Sequence, residues 1–460
     1  MTRLMERARG ALVPAALLCL LLPIASCDRL QNDLLEAPDP DIIPPGAVNS
    51  PEAADAVRLG ALSRLRNMTA GGESVWMLGG LLTDEWKSGD TFLQRNETDQ
   101  RQVQLNNANI QTMLRDLHRV RNSSREALDA LEKFKPTPTS NLGQMYFAMG
   151  YAEMSLAEAF CNGIPLSDAS TGAVVYGPPL TTQAVFQLAL AHFDSALTLS
   201  TATDAFTTTV RHSAAIAKAR TLIDLGQFAS VAAAVANVPT DFTNNLTFAL
   251  TSGDNQLWSL NNSQKRWVVG DSFDVAGRIL NAIPFASAGD PRVKVNGTST
   301  GTSPAGKAFD GSTNFISQAL FGRSEPTPLV SGLDARLYEA EAKLRANDLA
   351  GVMTVLNALR AAPQNLGSVT TPAMPALATP ATAAEVTDLF FREKAFWTFG
   401  RGQRLGDLRR LVRQYGRTQA NAFPSGTFFK GGTYGTDVNL PITVDEENNP
   451  EFKGCLDRNA

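Results

Sequence analysis

The chain has 460 residues, with 41 Lys and Arg against 45 Asp and Glu, 43% hydrophobic and 19% charged residues. This is far above the size at which a core becomes hard to build, and the apolar fraction with so small a charge imbalance excludes a disordered chain. A formal charge of −4 with no polybasic stripe excludes a basic nucleic-acid binder, and four cysteines are too few for a dense disulfide framework.

Residues 1–26 have the layout of a secretory signal peptide. Arg3, Arg7 and Arg9 precede an uncharged run from Ala11 to Ile24, too short to remain as a spanning helix. Ile24, Ala25 and Ser26 before Cys27 resemble a bacterial lipobox, whose cysteine is diacylated and becomes the new N-terminus. Loss of residues 1–26 removes three arginines and Glu6, taking the formal charge from −4 to −6. Residues 27–50, rich in proline and acid, read as a lipid-anchored tether.

From Pro51 the period is helical. Val57, Leu62 and Leu65 recur among charges to about residue 67, and between residues 105 and 134 Ile110, Met113, Leu117 and Val120 are spaced by three and four. After the Pro136 to Pro138 break, Ser140 stands as cap to a helix with Leu142, Met145, Met149, Ala152 and Leu156 on one face. Residues 185–199 bury Phe186, Leu190, Phe193 and Leu197. Residues 211–225 follow, with a turn at Gly226 and a helix over 229–238. The pattern recurs at 333–344 and 350–359 around Asn347 and Asp348. Small residues at crossing faces and tight inter-helix turns resemble degenerate tetratricopeptide pairs.

Residues 240–330, 361–381 and 421–460 lack helical stripes, and long loops on a rigid scaffold carry binding function. The expected fold is therefore mainly α: a tetratricopeptide-like helical-repeat scaffold with a loop-rich irregular half over it, as a single domain spanning 51–460. Cys19 leaves with the signal, so only Cys161 and Cys455 remain for pairing. In the oxidising compartment of an exported chain they are a candidate disulfide, with two free buried thiols as the alternative.

Motifs for catalysis are absent. There is no H-E-x-x-H, paired C-x-x-C or G-x-S-x-G, and His118, His192 and His212 fall far apart in helical segments, so no metal or cofactor is expected. Gly301 to Lys307 imitates a phosphate loop, but Ala308 stands where Ser or Thr would hold Mg²⁺. Asp84/Glu85 and Asp445/Glu446 have the residue types of glycosidase acids, although solvated or capping roles are commoner. Trp76, Trp86, Phe92, Trp258 and Trp267 fall near loop-like sequence, where a planar ring can stack on a sugar or peptide while polar neighbours fix its hydroxyls. Core packing competes for each tryptophan. Asp84, Trp86, Asp90, Phe92 and Trp267 are the candidate ligand contacts, with Trp86 and Trp267 expected to be partly exposed.

Three segments carry a family resemblance. The helix from Gly143 to Phe160 runs into Cys161-Asn162-Gly163-Ile164-Pro165-Leu166. The stretch from Leu389 through Arg392, Glu393, Gly400 and Arg404 reaches Asp407-Leu408-Arg409-Arg410. Leu440-Pro441-Ile442 is followed by Glu446, Asn449 and Pro450. Together with the lipobox and helix pairs, these resemble the SusD/RagB family of outer-membrane nutrient-binding lipoproteins. Phe399 and Gly406 depart from its pattern, standing where an acid and an aromatic are usual. Thr382 and Glu385 read as a capping box, and Glu393, Arg404, Asp407 and Arg409 as charges that pair where helices converge.

The resemblance implies a surface-facing outer-membrane lipoprotein anchored at Cys27. It would bind an oligosaccharide or other oligomeric nutrient without covalent change and pass it to a SusC-like TonB-dependent transporter. Asp28, directly after the anchor, is an inner-membrane retention signal in some Gram-negative bacteria and opposes that location. A tetratricopeptide scaffold for outer-membrane assembly and a surface hydrolase are the two other classes open to these residues.

Overall fold

A computed structural model describes residues 48–170 and 173–460. The signal peptide, Cys27, Asp28 and most of the tether lie outside the described residues. Helix α1, Pro51–Ala70, starts with Ser50 accepting from the Ala53 amide and proline in the first turn, where its missing N–H costs nothing. Helix α2, Val75–Leu81, and strand β1, Trp86–Ser88, lead to the short α3, Leu93–Asp99. The long α4, Ala108–Phe134, is capped by Asn107 and buries the expected stripe of Ile110, Met113, Leu117 and Val120.

Helix α5, Ser140–Ala159, is buried on nearly every side. Ser140 is its first helical residue and the cap position belongs to Thr139, which makes no capping bond. The family-like sequence of α5 is therefore a core sequence. At Gly150 a Cβ would come within 2.9 Å of the Phe193 ring and 3.1 Å of the Ala189 carbonyl, so this glycine lets α6, Thr182–Leu199, lie directly against α5.

Helix α7, Ala205–Asp224, and α8, Val231–Val235, make the first tetratricopeptide-like pair. The second is α9, Gly332–Arg345, with α10, Leu349–Ala361. Here the turn uses Asn347 at φ 58°, a left-handed conformation that asparagine tolerates, and Asp348 accepts the Gly351 amide as cap. Helix α11, Ala383–Trp397, carries the Thr382/Glu385 capping box, and α12, Arg404–Tyr415, follows.

Short antiparallel pairs of strands organise the irregular half. Strand β2, Ile164–Pro165, pairs with β3, Pro179–Leu180, and β4, Thr243–Leu246, pairs with β10, Thr327–Ser331. Strand β5, Trp267–Val269, takes β1 as its partner, with Trp86 opposite Val269, Lys87 opposite Val268 and Ser88 opposite Trp267. Three further pairs follow: β6, Phe273–Asp274, with β7, Gly277–Arg278; β8, Val295–Gly297, with β9, Ile316–Gln318; and β11, Gln364–Leu366, with β12, Val369–Thr371. The β1/β5 ladder ties the long insertion after α8 to the N-terminal part of the body, and the β4/β10 ladder pairs the two ends of that insertion with each other.

Apart from the exposed Arg392, the charges of the 389–410 stretch lie in the interior. Glu393, Arg404, Asp407 and Arg409 do not pair among themselves, which corrects the simplest form of the expectation. Glu393 takes Arg292 at 2.7 Å and Arg360 at 3.1 Å, and Arg404 takes Asp84. Asp407 takes Lys394 at 2.7 Å and also Arg410, which reaches Glu341 and Asp224, both at 2.9 Å. Arg409 donates to the carbonyls of Ala157, Glu158 and Phe160, which α5 leaves free at its C-terminal end. Burying so many ions is tolerable only because each finds an opposite charge or a carbonyl.

The C-terminal tail returns to the same helix end. The Cys161 amide donates to Leu440 O at 2.9 Å, the Leu456 amide to Asn162 O at 2.8 Å, and Cys161 and Cys455 form a disulfide with their Cα atoms 6.0 Å apart. Among the described residues no helix is long and apolar enough to cross a membrane.

Candidate functional site

The β1/β5 ladder ends where three loops meet. The Gly89 amide donates to Arg266 O at 2.9 Å, the Asp310 amide to Gly89 O at 2.9 Å, and the Phe309 amide to Lys265 O at 2.9 Å. A Cβ at Gly89 would lie 2.6 Å from that of Ala308, so only glycine lets these loops close on one another. Asp90 then sets the next turn, its Oδ1 accepting from the Thr91 and Phe92 amides at 2.7 and 3.3 Å.

This brings Phe92 and Phe309 both against Arg266. The guanidinium carbon lies 3.8 Å from the Phe309 ring centre and 4.9 Å from that of Phe92, and both rings are about half exposed. Arg266 Nη1 donates to Asp90 at 2.6 Å, and Arg95 binds the other oxygen of Asp90 at 2.5 Å. Burial pushes the Asp90 carboxyl up, but the bonds from Arg266 and Arg95 outweigh it and hold the group below its ordinary range. Lys430 closes the rim with bonds to Asp310 at 2.8 Å, Asp90 O at 2.7 Å and Asn96 at 2.9 Å. Asp310 is likewise held below its ordinary range: burial raises it, while Lys430 and Thr313 prevail.

The sequence-nominated residues divide. Phe92 is exposed at the platform, and Asp90 lies beneath it as its fully buried organiser. Trp86 and Trp267 are fully buried, which corrects the expectation of partial exposure. Trp86 packs on Phe399 with ring centres 5.0 Å apart, and Trp267 lies under the Arg95 guanidinium at 4.4 Å. Asp84 is buried against Arg404. These three hold the framework and do not line the surface. Sequence reasoning missed Arg266 and Phe309. The basic pair Lys265-Arg266 before β5 was the available signal for the first, and Phe309 stands just after the segment that imitates a phosphate loop.

A separate cavity of about 380 Å³ opens between β10, the β11/β12 hairpin and the end of α11, with Phe242, Phe321, Trp397 and Phe399 among its lining residues. None of the nominated residues lines it. A cleft of this size suits a small molecule, whereas the open platform can accept a chain that extends beyond it. No group of three or more His, Cys, Asp or Glu able to hold a metal occurs among the described residues.

No protein-family model matches the sequence, and no curated protein matches it. Solved structures do. A SusD superfamily protein from Bacteroides fragilis is 14% identical, with a TM-score of 0.63 over 88% of this chain and 99% of its own. A SusD-like carbohydrate binding protein from Bacteroides vulgatus is 14% identical, with a TM-score of 0.60 over 88% and 97%. A SusD/RagB family protein from Bacteroides thetaiotaomicron is 14% identical, with a TM-score of 0.60 over 86% and 94%. With its helix pairs, inserted loops and returning tail, the chain has the SusD/RagB fold.

Proposed function

We propose that this protein is a surface lipoprotein that binds a glycan and delivers it to a TonB-dependent outer-membrane transporter. The observation that carries the reading is the open platform of Phe92 and Phe309 around Arg266. Flat rings take the apolar face of a sugar, and fixed N–H groups beside them bind its hydroxyls or substituents. The carbohydrate-binding description of one solved neighbour supports the same class of ligand. Binding without hydrolysis fits the site, since Asp90 and Asp310 are engaged by cations and neither is placed as a proton donor. Cys27 would carry the lipid, and residues 27–50 would let the body move on its anchor while it loads the transporter.

A glycan-binding screen on the detergent-solubilised protein tests the reading. Binding lost in Phe92→Ala at unchanged thermal stability supports it, and absence of any glycan ligand overturns it. Co-purification of a large β-barrel from outer membranes tests the delivery step.

A further inference from the structure

We propose that the platform selects anionic oligosaccharides, a carboxylate or sulfate on the sugar being gripped by Arg266 with Lys265 and Lys307 at its rim. This rests on the glycan-binding reading above and adds the chemical class of the ligand.

Arg266 is held for such a task. Phe309 and Phe92 pack against it and one N–H is bound to Asp90, while its Nε and Nη2 have no acceptor among the described residues. The side chain is 18% exposed. A planar, immobilised guanidinium with a free edge matches the two oxygens of a carboxylate or sulfate and loses little freedom on binding.

The two lysines add charge that nothing in the patch cancels. Lys265 is exposed, has no carboxylate partner among the described residues, and is held at φ 58° by the bond from the Phe309 amide to its carbonyl. A left-handed backbone at a lysine is uncommon and persists where its surroundings fix it. Lys307 is also exposed, and among the described residues its Nζ meets only the neutral acceptors Ser312 O at 3.0 Å and Asn314 Oδ1 at 2.7 Å. The acids of the patch are spent internally, Asp90 on Arg95 and Arg266, Glu73 on Arg95, and Asp310 on Lys430. A locally positive surface thus stands on a chain whose formal charge is −4. A neutral glycan would gain nothing from that charge.

Calorimetric titration of the full protein in detergent with size-matched oligomers of polygalacturonate, a sulfated galactan and a neutral glucan tests the proposal. At least one anionic oligomer should bind, with affinity falling as salt is added, and the two anionic arms separate carboxylate from sulfate. The exposed double variant Lys265→Ala/Lys307→Ala should weaken that binding by about tenfold with no change in thermal stability. Neutral oligomers binding as tightly as anionic ones, with Phe92→Ala still abolishing binding, would overturn the anionic preference and leave glycan binding in place. No binding by either anionic oligomer overturns the anionic preference, and the glycan screen above decides the glycan reading separately.

Discussion

Asp84 and Arg404 meet through two parallel bonds, Nε to Oδ1 at 2.7 Å and Nη2 to Oδ2 at 2.9 Å, across 320 residues of chain. Asp84 Oδ2 also accepts the Ile283 amide at 2.6 Å, so one carboxylate joins the approach to β1, the irregular half and α12. Removing either partner leaves an uncompensated buried charge. Asp84→Ala should therefore destabilise the protein by about 3–5 kcal/mol in denaturant unfolding. If Asp84 were a ligand contact, the variant would instead lose binding at wild-type stability.

The buried tryptophans and exposed Phe92 give opposite expectations. Trp86→Ala empties a core position and should cost about 3–5 kcal/mol, whereas Phe92→Ala should stay within about 0.5 kcal/mol of wild type. Ligand titration separates them further, since Phe92→Ala should lose affinity while folded. Acrylamide should quench the intrinsic fluorescence only weakly, because Trp258 is the one tryptophan not fully buried.

The helices were legible because their period is local: the stripe of Ile110, Met113, Leu117 and Val120 needs only neighbouring residues to be seen. The site was legible at one end. Phe92 stands in a segment whose composition marks a loop, but Arg266 and Phe309 join it through backbone bonds to Gly89 and Lys265 that leave no periodic trace. Trp86 misled for a related reason. Its strand has three residues, too few to show alternation, and its burial depends on Phe399, more than 300 positions away. The charges from Glu393 to Arg410 announced ion pairing, while their partners Asp84, Asp224, Arg292 and Glu341 came from segments with no such signal.

The Cys161–Cys455 bond joins residues 294 positions apart and ties the tail to the end of α5. Cross-linking residues so distant restricts the unfolded chain, and its loss should cost about 2–5 kcal/mol. Unfolding midpoints with and without reductant measure this, and the Cys161→Ser/Cys455→Ser variant should match the reduced protein. Equal midpoints under both conditions would contradict it.

Glu85 gives the protein a pH dependence of known sign. Its side chain is fully buried, Oε1 accepts the Gly400 amide at 3.0 Å, and Oε2 has no partner among the described residues. Burial pushes its pKa from 4.5 up to about 8, against the opposing bond from Gly400. Below pH 4.5 the group is protonated in both folded and unfolded chains and contributes no slope. Between 4.5 and about 8 the unfolded chain releases the proton while the folded chain keeps it, so stability falls as pH rises, by up to about 1.4 kcal/mol per unit. Above that range the slope ends. Glu85→Gln keeps the acceptor for Gly400 and has no proton to lose, so the difference in unfolding free energy between variant and wild type should move steadily in favour of glutamine from about pH 5 to about pH 8. Taking the difference cancels the other titrating groups, and parallel curves for the two proteins would show that Glu85 is ionised in the folded state.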